Sequence, residues 1–208
     1  MNKYILFDVG ANIGTDSLIK TRDNSYVETW AFEPTPKLII NLTNESREYS
    51  NRYHVVPIAL SDFDGIAQFN IAGQNDWGCS SLNTFSENLE NTWPGREDFK
   101  VTEIIDVQVA RFDTWYTNNN INIDKIDFFH CDTQGSDLKV LIGMGNLINL
   151  IQEGVVECAA NEDVKLYKEN HTKKEIEDFL ISKNFTITNI VSNDNFSNEL
   201  NIYFKQNT

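Results

Sequence analysis

Hydrophobic residues along the chain fall into short runs broken by polar, glycine-bearing turns. Residues 4–9 form a continuous apolar run interrupted only by Asp8 and closed by Gly10, the pattern of a strand buried on both faces of a parallel sheet. Residues 13–22 predict a helix, 26–32 a second strand, 36–49 a second helix with Pro36 in its first turn, and 54–58 a third strand. This βαβαβ order predicts right-handed crossovers and a doubly wound sheet.

The middle of the chain breaks the rhythm. Residues 61–65 predict turns and 66–71 a strand, and 102–110 alternate as a second strand. Between them, 72–101 carry Gly, Asn, Ser and scattered aromatics, a long insertion expected to face a substrate. A short helix is predicted over 112–118. Residues 124–131 return to the buried-strand pattern, followed by a helix over 136–143, a strand over 150–158 and a helix over 173–183. Residues 185–191 and 200–204, joined by an Asn/Asp/Ser-rich turn, predict an antiparallel pair, the last strand inserting antiparallel into an otherwise parallel sheet.

Composition narrows the partners. The 208 residues suit a single domain over 1–208. A net charge of −14 argues against a phosphate backbone and against anionic membrane surfaces, and it permits a cationic ligand or a metal. Cys79, Cys131 and Cys158 form no C-x-x-C pair, so neither a disulfide framework nor a zinc site is expected. No apolar run of about 18 residues and no signal-like start are visible, and a cytoplasmic protein is expected.

The loop after the first strand carries the chemistry. A dinucleotide fingerprint needs a second glycine where a backbone meets a pyrophosphate; here that place is Asn12, and Asp8 precedes Gly10 by two residues. A carboxylate there repels a diphosphate and suits an ammonium. Glu33 ends the second strand, 25 residues after Asp8, where an acid can accept from ribose hydroxyls. An adenosine bearing an amino acid fits this set, and S-adenosylmethionine is such a ligand. The plainer alternative is that Gly10 and Gly14 make only a tight turn and Glu33 is solvated.

The segments FDVGANIGTDS (7–17), AFEPTP (31–36), VVPIALSDFDG (55–65), GCSSL (78–82) and IDFFHCDTQGSDLKVLIGMG (126–145) together resemble the FkbM family of S-adenosylmethionine-dependent methyltransferases. The resemblance implies a Rossmann-like class I methyltransferase fold: a mostly parallel seven-stranded sheet, an antiparallel C-terminal strand and an inserted hairpin and loop region. It implies that Asp8, Gly10, Asn12 and Gly14, with Thr15 beside them, contact the methionine part. Glu33, with Pro34 next to it, would meet the ribose. Ser61 and Asp62 would lie by the adenine, and Ser80 and Ser81 would contribute to the pocket. The family's usual KIDVEGAE reads here as HCDTQGSD, so Gln134 stands where an acid is common.

Asp132 and Glu157 end two predicted strands. If these are neighbours, about 4.8 Å apart, their carboxylates converge and share a proton or a cation. A hard divalent ion, Mg2+ or Mn2+, is the expected cation, with Asp132 and Glu157 as ligands; related sugar O-methyltransferases bind magnesium with comparable acids. A salt bridge or a helix-start hydrogen bond is the alternative for Glu157.

A hydroxyl acceptor needs a base or a metal. Asp132, His130 and His171 are the candidate bases. His130, inside the strand end, is expected to point away from Asp132 and reads equally as a structural histidine. His171 lies on a loop before the last long helix and reads equally as a solvated residue. Among the aromatics, Trp77 and Trp93 lie in the insertion among polar neighbours, where a ring could stack on a sugar or cover the cofactor; Trp115 reads as core, and Tyr167 lies outside the insertion. Gln134 joins Trp77 and Trp93 as a candidate substrate contact. The expected activity is O-methylation of a sugar hydroxyl, on a glycan or a sugar precursor, with a carbohydrate as partner. A nitrogen or small-molecule hydroxyl acceptor, an NAD-linked oxidoreductase, and a binding module without catalysis are the alternatives.

Overall fold

The computed structural model describes residues 3–73, 77–87, 89–96, 98–193, 195 and 197–207; the Trp77 side chain also lies outside the described part. In chain order the elements are β1 (Tyr4–Val9), α1 (Thr15–Asp23), β2 (Val27–Phe32), α2 (Pro36–Glu45), β3 (Tyr53–Val56), β4 (Ala59–Ser61), β5 (Gly65–Ala72), α3 (Leu89–Thr92), β6 (Val101–Arg111), α4 (Phe112–Asn118), β7 (Ile126–Cys131), α5 (Asp137–Gly143), β8 (Ile151–Ala159), α6 (Lys173–Ser182), β9 (Phe185–Ser192) and β10 (Glu199–Gln206).

Seven strands form the central sheet in the order β3-β2-β1-β7-β8-β10-β9. The pairs among β3, β2, β1, β7 and β8 are parallel, and β10 runs antiparallel to both β8 and β9. This is the expected Rossmann-like α/β sheet, with the last strand inserted antiparallel. The order reverses between β1, which leads outward to β2 and β3, and β7, so the carboxyl ends of β1 and β7 flank the crevice where open α/β sheets bind ligands.

Period-two alternation explains the two faces of the sheet. On one face Phe7 stacks on Trp30 at 5.2 Å, and Phe32 meets Trp115 edge-on at 4.7 Å. Phe112 and Phe129 complete this aromatic core, which α4 covers. On the opposite face α1 buries polar positions. Thr21 bonds Thr29 at 2.7 Å and Ser17 bonds the Tyr53 hydroxyl at 3.0 Å. Farther along this face, Asp8 stands opposite His130 across the β1–β7 register.

The middle of the chain builds a sheet of its own. β4, β6 and β5 form a separate three-stranded sheet, with β4 ending at Ser61, the first of the residues that read as turns. Leu60 on β4 enters the main core. The rest of the insertion has its own small core: Trp93, Leu166 and Tyr167 are buried against Phe85, Leu89 and Phe99. No described helix is long and apolar enough to cross a membrane.

Candidate active site

The site begins with backbone shape. Gly10, Asn12 and Gly14 all have positive φ, at 82°, 50° and 69°. A Cβ on Gly10 would lie 1.8 Å from the carbonyl oxygen of Asp132, so a glycine is what lets the ends of β1 and β7 touch. Asn12 takes the left-handed conformation that Asn tolerates better than most side chains. Gly14 packs instead against Leu42 and the Tyr53 hydroxyl, with a would-be Cβ 2.6 and 2.7 Å away. Here the glycine allows close helix–strand packing.

Glu33 ties this loop to the next. Its carboxylate accepts the Asn12 N–H at 2.9 Å and the Thr35 N–H at 2.8 Å. Burial raises its pKa, against those two donors that favour the charged form, and the Asp8 charge raises it further. Each carboxylate oxygen has a second lone pair for a ligand hydroxyl.

Two cavities meet here. The first is largely apolar, lined by Phe32, Pro34, Ile58, Leu60, Phe69 and Leu82, with Glu33, Ser80, Asp132 and Gln134 among its polar groups. The second lies on the α1 face and is polar, with Asp8, Thr15, Asp16, Lys20, His130 and Asn201 in its wall. Gly10, Asn12 and Asp132 line both. An elongated ligand with an aromatic end and a charged end matches that sequence of surfaces.

Several expected residues lie elsewhere. Ser61 and Asp62 do not line the apolar cavity: β4 carries Ser61 beneath Gly143, and Ile58, Ala59 and Leu60 form the wall instead. Ser80 lines the cavity and its hydroxyl accepts from the Ala72 N–H. Ser81 is fully buried and donates to the Gln134 carbonyl at 2.6 Å, bracing the loop after β7 from below. Trp93 is 2% exposed in the insertion core and cannot stack on a sugar; its partners Leu166 and Tyr167 come from another loop, which its polar neighbours in sequence conceal. The expectation for the Trp77 ring falls outside the described residues. His171 is half-buried before α6, lines neither cavity, and has its pKa lowered by burial.

His130 is closer to the chemistry than expected but in another role. It is two residues from Asp132, so alternation puts both on one side, and both line the polar cavity. Its Nδ1 meets Asp8 Oδ1 at 2.7 Å. Burial opposes its charge, but the Asp8 hydrogen bond and charge prevail and raise its pKa to about 9. At neutral pH it is an imidazolium held by Asp8, and so a poor general base.

The carboxylates on β7 and β8 do converge, with an amide between them. Gln134 Nε2 donates to Asp132 Oδ1 at 2.7 Å and to Glu157 Oε2 at 3.0 Å. Asn193 also donates to Glu157. Burial, then the Asp132 charge, raise the Glu157 pKa well above the usual carboxylate value. Mg2+ or Mn2+ does not fit this arrangement. Such ions take oxygen lone pairs, whereas the Gln134 amide turns its N–H hydrogens to the two acids and its oxygen to Tyr167. Among the described residues no three His, Cys, Asp or Glu side chains gather to hold a metal.

Tyr167, one of the candidate aromatics, is buried and braces the loop after β7 instead of offering a ring, and Asn83 joins it there. Tyr167 places its hydroxyl 2.9 Å from Gln134 Oε1. Asn83 donates to the Ser136 hydroxyl at 2.9 Å. Both come from segments remote from β7, and no local sequence signal assigns either to it.

Comparison with known proteins bears on the fold and the family. Among solved structures, fibrillarin of Aeropyrum pernix with bound S-adenosyl-L-methionine superposes with a TM-score of 0.56 at 12% identity, covering 98% of this chain and 66% of that one. TrmK of M. capricolum, in complex with S-adenosyl-homocysteine, gives 0.51 at 12% identity, covering 99% and 63%. A putative caffeoyl-CoA O-methyltransferase from Staphylococcus aureus gives 0.52 at 10% identity, covering 97% and 76%. The chain thus spans less than two thirds of the length of the first two, and at these identities the likeness is one of fold. No curated protein matches it in sequence. The family model described as the methyltransferase FkbM domain matches residues 8–187, from Asp8 on β1 into β9. The chain therefore belongs to the FkbM methyltransferase family.

Proposed function

We propose that this protein transfers the methyl group of S-adenosylmethionine to a hydroxyl of a sugar, on a glycan or a sugar precursor. The observation that carries the cofactor reading is the pair of cavities joined at Gly10, Asn12 and Asp132, with Glu33 in the apolar one. The adenine fits among Pro34, Ile58, Leu60 and Phe69, and the ribose hydroxyls meet the free lone pairs of Glu33. The methionine end meets Asp8, Asn12, Thr15 and the first turn of α1, whose backbone N–H groups suit a carboxylate. The sulfonium then stands near Asp132.

Methyl transfer is an in-line displacement. The acceptor oxygen forms a bond to the methyl carbon as the carbon–sulfur bond breaks, and S-adenosylhomocysteine leaves. Much of the rate comes from positioning. Asp132, whose Oδ1 is engaged by Gln134, takes the hydroxyl proton on its carboxylate. The aspartate also offsets the sulfonium charge. His130, already protonated, holds Asp8 in place.

The sugar class rests on the family resemblance. The net charge of −14 supports a neutral acceptor over a polyphosphate one. The test is transfer of labelled methyl from S-adenosylmethionine to a panel of glycans, sugar nucleotides and amines. Label in an alkali-stable ether on a sugar is expected, with loss on Asp132→Asn. Label only in amines would replace the hydroxyl reading with a nitrogen one.

A further inference from the structure

The loop after β7 folds back on itself. Gln134 has φ of 55° and Gly135 of 95°, and this reversal brings the Gln134 side chain over Asp132, two residues earlier. A Cβ on Gly135 would approach both Asn83 and Tyr167 to 3.1 Å, so the loop is also pressed against the insertion core. The Gln134 amide is fully used. Its nitrogen donates once to each carboxylate, at 2.7 and 3.0 Å, and its oxygen faces the Tyr167 hydroxyl at 2.9 Å. That hydroxyl has one proton for two acceptors, Gln134 Oε1 and the Cys79 carbonyl at 2.8 Å. Tyr167 is buried and belongs to the small core of the insertion. A chain of contacts therefore runs from the insertion through Tyr167 and Gln134 to both acids.

Reversed, the amide would set its oxygen against the Asp132 carboxylate; as it stands, it donates to both acids. In that orientation two polarised N–H bonds converge where a cation bridging the same acids would sit.

We propose that Gln134 is a positioning residue that takes the place of a bridging cation: its amide, oriented by Tyr167, holds Asp132 and Glu157 together, and the chain works without a divalent ion. The inference uses the reading of Asp132 as the acceptor-side acid, but its geometric content stands apart from that reading. A corollary concerns Gln134→Glu. That change converts the site to three converging carboxylates, an oxygen cluster of the kind that binds Mg2+ or Mn2+, whose affinity follows the number of ligand charges.

The test uses the full chain and Mn2+ as the probe, with the free ion counted by electron paramagnetic resonance and unfolding followed by temperature. Wild type is expected to bind no Mn2+ at the site and to show no shift in Tm. Gln134→Glu is expected to bind at least about tenfold more tightly. Its metal-free Tm should fall, because a third acid beside Asp132 and the buried Glu157 repels them, and Mn2+ should restore it. The double variant Gln134→Glu/Glu157→Gln returns the site to two acids and one amide; it is expected to fold and to bind no better than wild type. If Gln134→Glu accumulates only unfolded without metal, its recovery on refolding with Mn2+ is the supporting result.

Wild-type Mn2+ binding that Asp132→Asn abolishes would overturn the proposal. So would a Gln134→Glu variant that neither binds nor is rescued by Mn2+, or a double variant that binds as tightly as Gln134→Glu. Calorimetry of wild type with S-adenosylhomocysteine, run alongside, separates the two readings. Failure there removes the cofactor assignment, while the Mn2+ arms still decide the role of Gln134.

Discussion

The two ends of the crevice are built differently. At the β1–β2 end the backbone sets the shape: three positive-φ residues in five positions, and one carboxylate that pins two loops through their N–H groups. At the β7–β8 end side chains set the shape, and they come from far apart. Asp132, Gln134, Glu157, Tyr167 and Asn193 span some sixty positions and meet only in the folded chain. The first end is damaged by adding atoms, the second by removing polar ones.

The largest expected effect follows from that contrast. Gly10→Ala puts a methyl into the Asp132 carbonyl and forces a strained φ, so it should destabilise the protein by about 3 kcal/mol or more and abolish cofactor binding. Thermal unfolding checks the first part, calorimetry the second. A well-folded Gly10→Ala variant with normal binding would break the backbone account of this end.

The second effect tests the other end. Tyr167→Phe keeps the ring in its buried cluster but removes the hydroxyl that faces Gln134 and Cys79. A loss of about 1–2 kcal/mol in urea unfolding is expected. Cofactor affinity should change less than stability, because Tyr167 lines neither cavity and reaches them only through Gln134. Weakened binding with unchanged stability would mean that the two ends are not separable.

The smallest effect is a pH slope. The folded-state pKa of His130 lies above its unfolded value of about 6.5, at about 9. Its pairing with Asp8 therefore stabilises the protein fully below about pH 6.5, and the contribution fades as pH rises through 9. Wild type should lose stability between pH 7 and 10, and His130→Gln should flatten that window. The ring is partly open to the cavity, so the slope should be shallow and reduced by salt.

This contrast also explains what could be read from the chain. β1 at Tyr4–Val9 and α4 at Phe112–Asn118 fall where the hydrophobic pattern puts them, and Gly10 and Glu33 carry signals in their own neighbourhoods. Local spacing carries such information because the strand–turn–helix unit is itself local. Trp93 was legible only as an aromatic among polar residues, since the partners that bury it come from the loop at 166–167. Gln134 stood out as a departure from a family motif, but its meaning depends on Tyr167, 33 positions later. Ser61 and Asp62 lie off the cavity wall because a short strand, β4, ends where the turn residues begin, so Ile58, Ala59 and Leu60 face the cavity instead. The side of His130 followed from counting: two residues along a strand return to the same face.

The central claim is that the joined cavities hold S-adenosylmethionine with Glu33 at the ribose. Isothermal titration of wild type and Glu33→Ala with S-adenosylhomocysteine, with NAD+ as control, tests it most directly. Saturable one-site binding is expected in wild type, weakened by about tenfold or more (about 1.4 kcal/mol) in Glu33→Ala, with no heat from NAD+. No binding of S-adenosylhomocysteine, or equal binding by the two proteins, would contradict the account.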